Sequence, residues 1–323
     1  MRRLSWRIFL VTTALFGPTL TWGVAAAQSP GRPITIIVPY SPGTGQDVLA
    51  RIIAEELQKK WRQPVVVDNK PGANGAIGTQ TAARAAPDGH TLLMTSTSFT
   101  SNLSVLKNVP YDPVKDFLPV IEPATGHLAI GIHPSIPAKT TNEFIAYAKA
   151  RPGALNYSSP GTGGPHHLAM ELFKQSAKVD LKHIPYRGTG GAVADLIAGH
   201  VDAGFVALHV VMPILNQIRL LGSAGQERAT VLPDLATLDE QGLTGFNVTL
   251  WYGLFVPAGT PPQIILRFNT AINEMLMDPR IVESLSKIGL TIVGGPPERL
   301  GQQVKREIEV WQRVVEEAGI TLD

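Results

Sequence analysis

The sequence predicts an α/β protein of two lobes, each a mostly parallel sheet covered by helices. Short β-branched runs alternate with amphipathic helical patterns, and the connections between them are short, as in parallel sheets. A Gly-rich loop joins a strand to a helix once in each half of the chain. The chain has 323 residues, of which 44% are hydrophobic. This length exceeds what a single hydrophobic core usually supports, so two lobes are expected.

The N-terminal segment, residues 1–27, has the pattern of a cleaved signal peptide. Arg2, Arg3 and Arg7 precede an apolar run at 8–16, and Ala25-Ala26-Ala27 is a small-residue cleavage site. The apolar run is shorter than the roughly 20 residues of a membrane span. Leu4-Ser5 fits a twin-arginine leader poorly, so we favour general secretion and expect a periplasmic protein.

Charge and composition exclude several function classes. The formal net charge is +2, and removing the signal with its three arginines leaves −1. No basic stripe with interleaved aromatic residues is present, which argues against nucleic-acid binding. The absence of cysteine excludes a disulfide and a lipid-attached cysteine.

The first half begins with a strand at 34–38, a loop at 39–47 and a helix from Val48. Strands at 64–67 and 91–94, with a helix at 77–86 between them, complete this lobe. The segment 118–132 is extended and is expected to cross to the second lobe. There the pattern predicts strands at 155–158, 182–186, 201–206 and 220–223, with helices after Pro165 and over 192–198. An extended segment at 246–255 is expected to return to the first lobe. Two amphipathic helical patterns follow, the second with Gly319 as its C-cap.

The loop at 39–47 suits an anion, because a helix N-terminus presents unpaired backbone N–H groups and a favourable dipole. It is neither a phosphate-binding P-loop, since no Lys stands at the helix start, nor a dinucleotide fingerprint, since the third Gly is missing. Asp47 is either a ligand contact or simply an acidic residue of the first helical turn.

No motif supports catalysis or metal binding. Gly222-Ser223-Ala224-Gly225 has the wrong spacing for a nucleophile elbow. His166-His167 with Glu171 is better explained by a capping or ligand-facing histidine than by a metal site. Six histidines are scattered singly and are expected to be structural: His90, His127, His133, His183, His200 and His209. We expect no cofactor.

Neutral donors instead gather at predicted strand ends in both halves. They are Thr44, the cluster Thr95, Ser96 and Ser98, and then Ser159, Thr162 and Thr189. Such groups hold a carboxylate without supplying an acid, base or nucleophile, which favours binding over turnover. The alternative is that they are ordinary turn residues.

Several motifs resemble the substrate-binding proteins of tripartite tricarboxylate transporters, the Bug or TctC family. They run in order through the chain, at 38–51, 64–73, 86–89, 110–117, 155–158, 185–188 and 251–261. The resemblance implies a two-lobed periplasmic binding protein of the Venus-flytrap type, with lobe 1 at 28–127, lobe 2 at 128–248 and a return with C-terminal helices at 249–323.

The resemblance also implies the ligand contacts. In the family, one loop from each lobe grips a ligand carboxylate like pincers. By position these contacts are Tyr40, Ser41, Gly43, Thr44, Gly45 and Asp47 in the first lobe, and Ser159, Thr162, Gly163 and His167 in the second, with Tyr186, Gly188 and Thr189 behind them.

The chain departs from the family pattern where relatives often have an Asp-Asn pair, because Val206-Ala207 stands there. The hypothesis that follows is a less polar distal pocket, suited to an aromatic or aliphatic carboxylate.

The sequence thus predicts a monomeric receptor that closes over an organic carboxylate and delivers it to membrane permease subunits. The alternatives are a ligand-sensing partner of a sensor kinase and, less favoured, an exported hydrolase.

Overall fold

The computed structural model describes residues 32–318, so the predicted signal at 1–27 and the predicted C-cap at Gly319 lie outside the described residues. None of the described helices is long and apolar enough to cross a membrane. Two sheets, joined through one long strand, organise the described chain.

The first lobe is built on three parallel strands in the order β2, β1, β3. Its strands are β1 (Ile34–Val38), β2 (Val65–Asn69) and β3 (Thr91–Ser96), and its helices are α1 (Gly45–Trp61), α2 (Ala76–Ala83) and α3 (Ser98–Val105). A 3₁₀ turn, Ala73–Gly75, precedes α2. The apolar residues of β1 and β3 are mostly buried, as the β-branched sequence predicts, whereas the edge strand β2 buries Val65 and exposes Val66.

The second lobe repeats this plan with parallel strands in the order β7, β5, β6. Along the chain come α4 (Thr141–Lys149), β5 (Asn156–Ser159), α5 (Pro165–Ala177), β6 (Lys182–Pro185), α6 (Thr189–Ala198), β7 (Ala203–Ala207), α7 (Leu208–Val211), a 3₁₀ turn (Met212–Ile214) and β8 (Arg219–Ser223).

Strand β4 (Phe117–Ile132) belongs to both sheets. Its residues from Phe117 to His127 pair antiparallel with β9 (Thr249–Pro257), which also pairs with β3. From Leu128 to Ile132 it pairs instead with β7 and β8. Each sheet is therefore mixed, with parallel strands next to antiparallel crossing strands. The lobe boundary at 127/128 stays a prediction.

The C-terminal part packs on the first sheet and its crossing strands. It comprises α8 (Pro262–Leu276), α9 (Pro279–Lys287), β10 (Leu290–Ile292), which pairs with β4, and α10 (Pro297–Ala318). Leu300 and Val304 of α10 are buried in a cluster with Phe99, Trp251 and Phe255. The apolar face predicted for this helix is thus the face that it buries.

Candidate functional site

A cavity of about 570 Å³ lies between the two lobes. It opens at the carboxyl ends of β1 and β3 on one side and of β5, β6 and β7 on the other, where ligands of α/β sheets bind. Both Gly-rich loops contribute to its wall, through Tyr40, Ser41 and Thr44 in the first lobe and through Gly161 and Thr162 in the second.

In the first lobe Asp47 stabilises the loop at 39–47 from the side that faces away from the cavity. The residue is 3% exposed. It accepts from Gly43 N at 2.9 Å, from Asn69 Nδ2 at 3.0 Å and from Arg51 Nε at 3.0 Å. These bonds outweigh the effect of burial and keep the pKa of the carboxyl below its usual value. Asp47 is therefore an organiser of the loop and does not line the cavity.

The start of α1 makes a close approach to β9. A Cβ built on Gly45 would lie 2.5 Å from Tyr252 Oη and 2.7 Å from Tyr252 Cζ. Tyr252 is buried and lines the cavity. Only glycine leaves room for this phenol against the helix start.

In the second lobe two stacked imidazoles support the loop at 159–163. His167 Nδ1 accepts from Gly163 N at 2.9 Å, and His183 Nε2 lies 2.7 Å from Ser159 Oγ. The two rings are 4.0 Å apart and nearly parallel. Burial lowers the pKa of His167 to about 4 and that of His183 to about 3, so both rings are neutral near pH 7.

The three longest helices that begin at the cavity have no side-chain cap. They are α1 after Thr44, α5 after Gly164 and α6 after Gly188. By contrast, Thr140 caps α4 and Asp278 caps α9, away from the cavity. First-turn N–H groups normally need a partner. The cavity therefore gathers backbone donors and the positive ends of three helix dipoles.

The two lobes touch across the cavity. Ser101 Oγ on α3 donates to Gly163 O at 3.3 Å. A Cβ on Gly188 would lie 3.5 Å from Ser41 Oγ, and a Cβ on Gly164 would lie 3.2 Å from Asn74 Oδ1. The conformation is accordingly one in which the loops of the two lobes are in contact.

The residues predicted as ligand contacts divide into two groups. Those that line the cavity are Tyr40, Ser41, Thr44, Gly45, Ser96, Ser98, Thr162, Tyr186, Gly188, Thr189 and Ala207. Those that do not are Gly43, Asp47, Thr95, Ser159, Gly163, His167 and Val206. Most of the second group hold the loops or their neighbours. Thr95 Oγ1, for example, lies 3.2 Å from Tyr40 Oη.

Val206 faces away from the cavity. It is 3% exposed and packs in an apolar cluster with Val193 and Leu196, while the next residue of β7, Ala207, lines the cavity. Successive side chains of a strand point to opposite faces. Of the Val206-Ala207 pair, only Ala207 can therefore affect the polarity of the pocket.

Sequence reasoning missed several polar residues of the wall: Gln46, Asn74, Arg187, His209 and Tyr252. His166, for which a capping or ligand-facing role was expected, lines the cavity. His209, expected to be structural, lines the cavity. The one feature of the sequence that could have indicated this was its position just after the β7 strand, since ligands of α/β sheets bind at the carboxyl ends of strands. Tyr252 stood within a family motif, but nothing in its neighbourhood along the chain indicated that its hydroxyl reaches the cavity.

The cavity wall carries little charge. Arg187 is the one permanently charged residue among those that line the cavity, and no Asp, Glu or Lys lines it within the described residues. Across residues 32–318, no three His, Asp or Glu side chains gather as a metal site. The arrangement can hold an anion by neutral donors, helix dipoles and one guanidinium.

A family model described as the tripartite tricarboxylate transporter family receptor matches residues 49–320. The chain is 35% identical to the protein BugT of Bordetella pertussis over 319 residues, which are 98% of this chain and 96% of BugT.

Solved structures are similar over nearly the whole described chain. The R. palustris protein Rpa4515 with adipate has a TM-score of 0.87 at 32% identity, covering 91% of this chain and 99% of that chain. MatC from Rhodopseudomonas palustris with bound malate has a TM-score of 0.83 at 32% identity, covering 89% and 100%.

Proposed function

Because this chain belongs to the family of tripartite tricarboxylate transporter receptors, we propose that it captures a small organic carboxylate in its inter-lobe cavity and passes it to the membrane subunits of such a transporter. Its relatives are periplasmic solute-binding proteins, and the chain is a carboxylate-binding receptor rather than an enzyme. The permease partner is part of the proposal.

The convergence of three uncapped helix starts on one cavity carries the proposal. A carboxylate placed there accepts from first-turn N–H groups of α1, α5 and α6, which have no side-chain cap. Ser41, Thr162 and Thr189 line the same cavity, and their hydroxyls supply further donors, whereas the Thr44 hydroxyl donates to Ser41 O at 3.1 Å. Charge-assisted hydrogen bonds of this kind are roughly twice as strong as neutral ones.

Under this proposal the predicted contact residues have two roles. Residues of the wall touch the ligand, whereas Asp47, His167 and Ser159 keep the two loops in the shape that receives it. Hinge closure then brings the two sets of donors around the same carboxylate.

The similar solved proteins support an acyclic acid as cargo, since one is described with adipate and another with malate. Both of these molecules are dicarboxylates. The volume of about 570 Å³ is ample for either.

A thermal-shift screen of residues 28–323 against mono-, di- and tricarboxylates, with the corresponding amides as controls, tests the proposal. A ligand at a hundredfold excess over its Kd stabilises the fold by about 2.7 kcal/mol. We expect acids to raise Tm and their amides not to. A folded protein that no carboxylate stabilises would contradict the proposal and would favour the sensor-kinase alternative, in which partner binding is the main activity.

Export is tested separately, because residues 1–27 lie outside the described structure. We expect the protein isolated from the periplasm to begin at Gln28, which intact mass measurement would establish.

A further inference from the structure

Four consecutive residues of the cavity wall, 72–75, have positive φ angles. In chain order from Gly72 to Gly75 the angles are 137°, 46°, 50° and 88°, and all four residues line the cavity. Glycine adopts such angles freely and asparagine tolerates them, but they are unfavourable for Ala73, which carries a Cβ. Strain of this kind persists only where the surrounding structure holds it, and it concentrates at functional segments.

A buried hydrogen-bond network holds this segment at Asn74. Asn74 Nδ2 donates to Asn102 Oδ1 at 2.8 Å, and Asn102 Nδ2 donates to Asn74 O at 3.1 Å. Ser98 Oγ donates to Asn74 Oδ1 at 3.2 Å. Asn102 is fully buried, and its amide also donates to Tyr111 Oη at 3.1 Å. The side-chain amide of Asn74 is therefore fixed against α3 in one orientation.

The fixed amide meets the second lobe at the start of α5. A Cβ built on Gly164, the residue before α5, would lie 3.2 Å from Asn74 Oδ1, which is closer than an ordinary contact of a carbon atom. The φ of Gly164 is −75°, an angle that any residue adopts, so its own backbone does not require glycine. The approach of Asn74 from the other lobe is what favours glycine at this position.

The contact at Gly164 differs from the approach of the lobes at Gly188. A Cβ on Gly188 would lie 3.5 Å from Ser41 Oγ, which is an ordinary contact. Gly188 has a φ of 129°, so its backbone alone favours glycine. At Gly164, by contrast, the neighbour is an amide that three hydrogen bonds hold in place and that cannot easily turn aside.

We propose that Asn74 is a positioning residue that stops the closure of the second lobe, by receiving the start of α5 at Gly164. This inference rests on the proposed function, since it concerns the closed state that holds the carboxylate. The stop sets the separation between the first-turn N–H groups of α5 and the donors of the first lobe. A rigid stop suits this purpose, because a hydrogen bond requires a donor–acceptor distance within a narrow range.

The hydrogen bonds of Asn74 favour positioning over direct ligand contact. Its amide oxygen and its amide nitrogen are both engaged with side chains of α3, although the residue lines the cavity. A residue that held the ligand directly would leave these atoms free for it. The two roles differ in one measurable respect, because only a stop makes the effect of a substitution at Gly164 depend on Asn74.

A double-mutant cycle in residues 28–323 tests the stop by isothermal titration calorimetry with succinate, glutarate, adipate, malate, butanoate and hexanoate. Gly164→Ala adds the methyl group that meets the amide. Asn74→Gly removes the amide and keeps a residue that adopts a positive φ. Asn102→Ala is a second background, which releases the amide although Asn102 does not itself line the cavity.

Gly161→Ala is the matched control, because it lies in the same loop and a Cβ there would lie 3.9 Å from Tyr186 O, an ordinary contact. Its effect on affinity should be the same with and without the Asn74 amide. Circular dichroism checks that each variant is folded.

We expect Gly164→Ala to weaken the acids that bind by about fivefold or more, because the lobes then meet before the donors of α5 reach the ligand. In the Asn74→Gly background the same substitution should change affinity by less than about twofold, because the added methyl group no longer meets an amide. The Asn102→Ala background should give a factor between these two.

Equal weakening by Gly164→Ala in all three backgrounds would overturn the stop, since the methyl group would then act without Asn74. Unchanged affinity of Gly164→Ala in the otherwise unmodified chain would overturn it as well. In both cases acids still bind, so the proposed function stands and the stop alone is refuted. If the folded, unmodified chain binds none of the six acids, the proposed function fails and the stop fails with it.

Discussion

Close contacts between atoms determine which residue type fits at single positions of this protein. The three atoms nearest to a Cβ on Gly45 would all belong to the phenol of Tyr252, a buried side chain of β9. The sequence showed a glycine in a loop, but a contact between residues about two hundred positions apart could not be read from local spacing.

Gly45→Ala tests this contact. The added methyl group would overlap the Tyr252 ring, so we expect a loss of about 1–3 kcal/mol in the free energy of unfolding, together with weaker ligand binding. Gly190→Ala is the control, because nothing lies within 4 Å of a Cβ at that position. Equal stability of both variants, measured by chemical denaturation, would show that the cavity wall is looser than the distances indicate.

His167 gives a prediction for acid pH. Burial lowers the pKa of His167 to about 4 from 6.5, so the unfolded chain binds more protons between these values. Stability is therefore present above pH 6.5 and decreases as pH falls to 4, by about 3 kcal/mol for this ring. We expect His167→Gln to reduce that slope in denaturation measured from pH 7 to pH 4.

The control for His167 is His200→Gln, an exposed histidine beside Asp195. The other buried histidines act in the same direction, so the difference between the variant and the unmodified protein isolates His167. Superimposable pH profiles for His167→Gln and the unmodified protein would contradict the assignment.

At the scale of elements, the three longest helices that begin at the cavity, α1, α5 and α6, lack a side-chain cap, whereas α4 and α9 carry one. The capping box of Thr140 and Glu143 was recognisable in the sequence, and Thr140 Oγ1 does accept from Glu143 N. The missing caps at α5 and α6 were recognisable too, since Gly164 and Gly188 precede these helices, but the missing cap at α1 was not, since Thr44 is a residue type that often caps a helix. Alternation of strands and helices with these loops was sufficient to predict both sheets and the position of the cavity.

Several elements escaped sequence reasoning for physical reasons. Helix α3 carries polar residues from Thr100 to Asn102 that are all buried, so it lacks the apolar and polar faces that mark a helix. Helix α9 and strand β10 are short, and β10 pairs with β4 far away in sequence. Such tertiary partners override local patterns.

Helix α10 ties α3 to β9 through one buried acid. Glu307 Oε2 accepts from Trp251 Nε1 at 2.6 Å, from Thr100 Oγ1 at 2.9 Å and from Trp311 Nε1 at 3.2 Å. Burial raises the pKa of this carboxyl to about 7. The folded state then binds the extra proton, so stability is greatest below pH 4.5 and decreases as pH rises through 7.

We therefore expect Glu307→Gln to remove the part of the pH dependence between pH 5 and pH 8 that comes from this carboxyl, at most on the order of 3 kcal/mol. Glu309→Gln, an exposed acid on the same helix, should retain it. Thermal unfolding at each pH measures the effect, and a profile for Glu307→Gln that matches the unmodified protein would refute it.

At the scale of the whole molecule, the crossing strands β4 and β9 join two lobes, which meet over a cavity lined mainly by neutral donors. Ser101 on α3 reaches across to the loop of the second lobe. Contacts of this kind exist only where the lobes approach each other, so they favour the closed form over an open one.

Ser101→Ala should weaken ligand binding about fivefold, the value of one hydrogen bond of roughly 1 kcal/mol, without changing the stability of the unliganded protein. Ser104→Ala on the same helix serves as the control. Unchanged affinity in calorimetry would indicate that the contact between Ser101 and Gly163 plays no part in closure.

The central claim is that a carboxylate is held between the lobes by uncapped helix starts. A crystal structure of residues 28–323 with the dicarboxylate that stabilises it most tests this most directly. We expect one carboxylate of the ligand to lie within hydrogen-bond distance of the first-turn N–H groups of α1, α5 or α6. A ligand bound outside this cavity, or one whose carboxylates contact none of these groups, would contradict it.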